Sequence, residues 1–310
     1  MNFSIRSSLV WVGAFFLAFI FSVTGVKEFS AWPQVIELWE SGSYFADLTG
    51  HPHFFRFVSV YPGFLLEEYF PGGGFSLYIS IFFAFNCVLW RSFTRRYSGF
   101  NPNFIFWLLF FAAHASMNGR GVIAWNAWLM CMHVCFDLVD VRRRVPIFRI
   151  ALACFFGAVS TGVFIVIVVA VFSFLMKRFS IQGMRIKWIR VSLFFLLSSP
   201  LIIVICEYLI IAFEKNIDFY GGGMDGVFRM LHHGMGGAFF IFGEAVALIV
   251  VVLVGLISVL FVVIGWKVIF RDINLVQIIP VLGGMFGFTV LTLAIPVFLT
   301  QLQKIKFNRG

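Results

Sequence analysis

The sequence predicts an all-α polytopic membrane protein, and three observations carry that prediction. Of its 310 residues, 61% are hydrophobic and 12% charged, whereas a soluble domain carries roughly 25% charged residues. The apolar residues fall into runs near the length of about 20 that a helix needs to cross a bilayer. Lys and Arg collect in short stretches between those runs, the pattern of cytoplasmic loops. The prediction is one integral membrane domain over 1–310, with nine or ten membrane segments, one or two of them short hairpins.

The 23 basic against 14 acidic residues are explained by the same positive-inside bias, so nucleic acid is not an expected partner. The five cysteines (Cys87, Cys131, Cys135, Cys154, Cys206) all lie in apolar runs. Cys131 and Cys135 are one helical turn apart, but no His or Cys cluster with metal-ligand spacing accompanies them, so no metal is expected. The first apolar run, "LVWVGAFFLAFIFSVTGV", is longer than the 7 to 15 residues of a typical signal-peptide core and has no clear A-x-A-like site. It reads as a retained first helix.

Membrane segments are expected near 9–26, 74–90, 104–118, 121–139, 191–213 and 244–266. The stretch 27–73 holds Lys27 and Arg56 against Glu28, Glu37, Glu40, Asp47, Glu67 and Glu68. Being net acidic, it is assigned as an external loop. Arg91, Arg95 and Arg96 follow the second segment and Arg142 to Arg144 the fourth, which places both regions inside and the 114–121 junction outside. Residues 147–176 lie between two basic clusters and are too short for two full spans of about 20 residues each. A single span would put Lys177, Arg178, Arg185, Lys187 and Arg190 outside. A short hairpin turning at "AVSTGV" (158–163) keeps both clusters inside, with Ser160, Thr161 and Gly162 supplying turn chemistry. The chain then rises through 191–213 to a second external loop, 214–243, and returns. Residues 274–300 fit either one tilted span or a second hairpin around Gly283 and Gly284.

With that topology, the polar residues at the outer face become the candidates. Arg120 stands at the junction "HASMNGRGVIAWNAW", and Arg229 within "GGGMDGVFRMLHH". If "VFRMLHH" is helical, His232 and His233 share a face with Arg229. Two external arginines suit an anionic ligand, because guanidinium forks bind phosphate bidentately and keep their charge. A neighbouring histidine can exchange a proton near neutral pH. Arg120, Arg229, His232 and His233 are therefore the catalytic candidates. Glu67 and Glu68, where carboxylates can meet a hydroxyl-rich ligand, Asp225 and Asn118 beside the two arginines, and Trp125 as a sugar platform are the substrate-binding candidates.

The order of these features resembles a family. "YPGFLLEEYF" followed by "GGGFSLYISIFFAFNCVLWRSFTRRYS" is similar to the early region of the EpsG-like branch of bacterial polysaccharide polymerases, related to the Wzy O-antigen polymerases. "SMNGRGVIAWNAWLM" resembles that branch's Asn-x-x-Arg-x-x-Ile-Ala element, matched here by Asn118 (one position nearer the arginine), Arg120, Ile123 and Ala124. "RRRVPIFRIALACFFGAVSTGVFIVIVVAVFSFLMKR" resembles the hairpin region. There the family often carries a histidine before a small-residue turn, and this chain has Ala158, Val159, Ser160 and Thr161 instead. "GGGMDGVFRML" resembles the later external loop that carries a second functional arginine, matching Arg229.

The resemblance spans most of residues 55–235. It implies a GT-C-like glycosyltransferase of the bacterial cytoplasmic (inner) membrane. Such an enzyme joins undecaprenyl-diphosphate-linked oligosaccharide repeats into a surface polysaccharide, with no nucleotide sugar, metal or other cofactor. Besides the lipid-linked substrate and membrane lipids, a flippase and a chain-length regulator are the implied partners. The rival expectations are a polysaccharide ligase of the same superfamily and a non-enzymatic transporter. Glu207 and Glu244 are the acidic residues nearest a span interior, fewer than a transporter with a midplane ion site would be expected to show.

Overall fold

A computed structural model describes residues 5–24, 33–41, 54–93, 95, 107, 110–111, 119–139, 145–182, 185–227 and 229. The expected segments near 104–118, 244–266 and 274–300 lie wholly or mostly outside these residues. The described chain is helical apart from one two-residue ladder. Its elements are α1 (Ile5–Val23), α2 (Pro33–Glu40), α3 (Phe54–Tyr69), α4 (Gly74–Phe93), α5 (Gly119–Val139), α6 (Ile147–Gly157), α7 (Thr161–Ser180), β1 (Ile181–Gln182), β2 (Arg185–Ile186) and α8 (Trp188–Phe219). By length and composition, α4 and α8 are able to cross a membrane.

Side-chain contacts fix the direction of each helix. Ser22 Oγ donates to Ser76 Oγ at 2.5 Å, and Trp11 meets Phe85 edge-on at 5.9 Å, so α1 runs antiparallel to α4. A Cβ on Gly119 would touch Phe75 and Ile79. Further along, Asn86 Nδ2 donates to the Val122 carbonyl at 3.0 Å, Asn126 Nδ2 to Asn86 Oδ1 at 2.9 Å, and His133 Nε2 lies 3.0 Å from the Leu89 carbonyl. Thus α4 and α5 are parallel and joined by a buried polar seam. Around the seam the core is aromatic. Trp90, Trp125 and Trp128 are fully buried, with Phe110 stacked on Trp90 at 5.6 Å.

The short hairpin expected from the basic clusters is present. Arg149 Nη1 pairs with Asp137 Oδ2 at 3.0 Å, and Gly157 reaches Ala127, so α6 runs back along α5. The chain turns over Ala158, Val159 and Ser160. Then α7 returns until Arg178 Nη1 meets the Leu138 carbonyl at 3.5 Å. Both flanks of the hairpin therefore come to the end of the bundle where α5 finishes. Ile181 pairs with Ile186, and Gln182 with Arg185, to turn the chain. Phe172 against Phe194 and Phe164 against Tyr208 make α8 antiparallel to α7.

Two expected boundaries are corrected. Residues 27–73 are not a plain loop, because they contain α2 and α3. One face of α3 (Arg56, Phe57, Ser59, Val60, Gly63, Phe64) is buried despite Pro62 in mid-helix, following the i, i+3, i+4, i+7 rhythm of a packed helix. Residues 214–219, assigned to the second loop, continue α8, whose N-terminus also starts three residues before 191. The chain bends away only at Gly221, Gly222 and Gly223, with φ of +108°, +75° and +58°. Three successive left-handed residues are what glycine permits, so this run has a backbone reason of its own.

Candidate functional site

At the end of the bundle where α5 begins and α8 finishes, four elements bring polar side chains together. Arg120 is the second residue of α5 and is half-buried. Arg56, in the first turn of α3, is 2% exposed. Its Nη2 donates to Thr161 Oγ1 at 2.6 Å, and Thr161 is the first residue of α7, just past the hairpin turn. Tyr208 on α8 and Tyr220 at the end of α8 complete the group.

These side chains share one electrostatic neighbourhood. After burial, the charge that acts most on Arg56 is the like charge of Arg120, followed by Tyr208 and Tyr220. Burial and Arg120 both lower the pKa of the Arg56 guanidinium, which stays a cation at neutral pH because arginine does not deprotonate in proteins. Burial raises the Tyr220 phenol, while Arg120 and then Arg56 pull it down. A phenol so placed is a neutral hydrogen-bond donor at pH 7. Two guanidinium groups gathered in a partly desolvated place raise the local potential well above that of a solvated surface.

Arg229 comes back to the same end. Its Nη1 lies 3.6 Å from where a Cβ on Gly221 would stand, beside Tyr220. It is exposed, as is Asp225 in the helical turn that follows the glycines. The arginine whose charge acts with that of Arg120 is therefore the buried Arg56, which in sequence is only one of the charges of an expected loop. A signal for it existed: Arg56 stands in "HFFRFVSV", a cation with apolar neighbours on both sides. Its pairing with Thr161, 105 positions away, had no local signal.

Other candidates are placed differently. Glu67 accepts the N–H of Gly72 at 2.5 Å and of Phe75 at 2.8 Å, so both its oxygens satisfy the start of α4. Glu68 is exposed. Trp125 is 0% exposed and packs against Trp90 and Phe110, which leaves no ring face for a sugar. That position is core, because residue 125 falls on the side of α5 turned toward α4. Asn118, His232 and His233 lie outside the described residues.

Fold and site define a helical bundle of strongly apolar composition with an arginine cluster at one end. No protein-family model, curated protein or solved structure matches the chain.

Proposed function

We propose that this chain is a polytopic glycosyltransferase of the bacterial cytoplasmic membrane that polymerises oligosaccharide repeats carried on a lipid diphosphate. The observation that carries the reading is the gathering of Arg120, Arg56 and Arg229 at one end of an apolar helical bundle. The orientation follows from charge. Arg149 and Arg178, one on each arm of the α6–α7 hairpin, meet the opposite end, which the positive-inside bias assigns to the cytoplasm. The arginine end then faces outward, where lipid-linked repeats await joining.

In the reaction, an acceptor hydroxyl oxygen attacks the anomeric carbon of the donor sugar as the bond from that carbon to the diphosphate oxygen breaks. The bonding pair leaves with the lipid diphosphate, and the hydroxyl proton passes to a base, for which His232 and His233 are the candidates. Charge grows on the leaving group in the transition state, and guanidinium groups already in place offset it without reorganisation. The Arg fork matches phosphate oxygens in a way that Lys does not.

The test is the ladder of surface glycan lengths in cells carrying Arg120→Ala or Arg229→Ala at normal protein levels. The polymerase reading expects single repeats to persist and long chains to vanish. Long unattached chains would instead indicate a ligase, and repeats trapped inside a transporter. An unchanged ladder for both variants would remove the reading.

A further inference from the structure

The end of the bundle opposite the arginine cluster has a charge pattern of its own. Between Asp140 and Glu207 the sequence carries nine Lys and Arg residues and no carboxylate side chain. Two of those cations are engaged within the fold, Arg149 with Asp137 and Arg178 with the Leu138 carbonyl. Lys187 and Arg190, at the start of α8, are exposed. Neither pairs with a carboxylate among the described residues.

The connection from α7 to α8 fixes where they stand. Pairing of Ile181 with Ile186 and of Gln182 with Arg185 closes a tight hairpin, and Phe179 at the end of α7 stacks on Phe194 of α8 at 6.5 Å. The Lys187 carbonyl accepts the N–H groups of Arg190 and Val191 at 2.9 and 3.1 Å. That starts the helix and sets the two cations one turn apart, as neighbours on its surface. Beside them Trp188 is 71% exposed and Ile189 79%. Ile147 and Phe148, where α6 starts at the same end, are exposed too. Apolar side chains exposed beside cations mark a surface that meets a membrane interface. There an indole sits at headgroup depth, and Lys and Arg keep their charge among the headgroups while their stems lie on apolar surface.

The depth agrees. Residues 191–213 extend about 35 Å at 1.5 Å per residue, enough to cross a hydrocarbon core of about 30 Å. When α8 crosses the bilayer, Lys187, Trp188 and Arg190 stand among the headgroups of the leaflet where it starts.

We propose that the start of α8 is a binding surface for anionic phospholipid, with Lys187 and Arg190 on the headgroup and Trp188 and Ile189 against the glycerol and upper acyl chains. Phosphatidylcholine carries the same phosphate, but its choline cancels the charge, so the two cations discriminate by net charge. Each Lys or Arg near an anionic surface strengthens association about fivefold, whereas exposed aromatic residues alone would not separate the two headgroups. The surface does not depend on the polymerase reading, and the positive-inside bias assigns it to the cytoplasmic leaflet.

The experiment uses the full chain on a Cys206→Ser background, with a bimane on a cysteine introduced at Leu193, which is exposed one turn into α8. The protein is placed in vesicles of mixed phosphatidylglycerol and phosphatidylcholine, with one of the two lipids brominated on its chains. Quenching then gives the relative affinity of the two lipids at that position. Phosphatidylglycerol should be preferred about fivefold or more, and the preference should shrink as salt is raised. Lys187→Gln combined with Arg190→Gln should bring the ratio to within about twofold of one. The exchange Lys187→Arg with Arg190→Lys, which keeps both charges, should retain the preference. Lys215→Gln, exposed at the other end of α8, should leave it unchanged.

Excess glycerol phosphate at matched ionic strength should not displace the lipid; displacement would assign the surface to a soluble anion and remove the proposal. A ratio of one with Lys187 and Arg190 intact, or a preference that survives the double Gln variant, would also overturn it. The salt series needs no change at either cation, and a preference insensitive to salt would have the same force.

Discussion

Asn86 and Asn126 show how single residues hold this bundle together. Asn126 donates to Asn86, which donates to the Val122 carbonyl, and both amides are buried. In an apolar surrounding, a hydrogen bond between helices typically contributes about 0.6 to 2 kcal/mol. Asn126→Leu should destabilise the protein by roughly that amount, because it leaves the Asn86 carbonyl oxygen without this donor. The double variant Asn86→Leu with Asn126→Leu should cost less than the sum of the two single changes, since neighbours in one network are not additive. Thermal unfolding of the three variants in detergent measures this, and strict additivity would show that the two amides act independently. The same scale explains what the sequence hid. Glu67 is a carboxylate beside an apolar run, and nothing local distinguishes one that closes a helix start from one that meets a ligand. Trp125 stands six residues from the helix end, and only the packing of Trp90 and Phe110 decides that it faces inward.

At the scale of elements, the α3–α4 turn sets the height of Arg56 against Arg120. A Cβ on Gly74 would stand 2.1 Å from the Leu66 carbonyl carbon and oxygen, backbone atoms that cannot rotate aside. Gly74→Ala should therefore push α3 off α4 and destabilise by about 1–3 kcal/mol or more, as overpacking does. Gly13→Ala is the control, because nothing lies within 4 Å of its added Cβ, and it should leave thermal unfolding unchanged. Equal behaviour of the two variants would contradict the close approach. Helices α1, α4, α5 and α8 were legible from their apolar runs, and the hairpin from its flanking charges. Helix α3 was not. Its Pro62, its acidic end and the polar residues before it read as loop, while the buried stripe through Phe57, Val60 and Phe64 becomes visible only as a packed face.

For the whole molecule, the proposed orientation rests on which end holds which charges. Cysteine introduced at Met224, exposed in the turn after α8, should react with an impermeant reagent in intact cells. Cysteine at Ile189, exposed where α8 begins, should react only after the cells are opened. Both belong on a Cys206→Ser background, since Cys206 is the exposed native thiol among the described residues. Labelling of position 189 from outside would invert the bundle and place the arginine cluster in the cytoplasm. The convergence of Arg56 with Arg120 was beyond the reach of sequence for a physical reason. It depends on four elements whose spatial order is fixed by packing between distant parts of the chain.

On the proposed polymerase function, bond formation and release of a lipid diphosphate are one event on this protein. Purified protein in vesicles, supplied with lipid-diphosphate-linked repeats alone, measures it directly through glycan length and released lipid diphosphate in the same sample. One lipid diphosphate should appear for every repeat added. Arg120→Lys, which keeps the charge and loses the planar fork, should stop both together. Chains that lengthen without matching release, or repeats that cross the membrane with no new bond formed, would show that the protein is not such a polymerase.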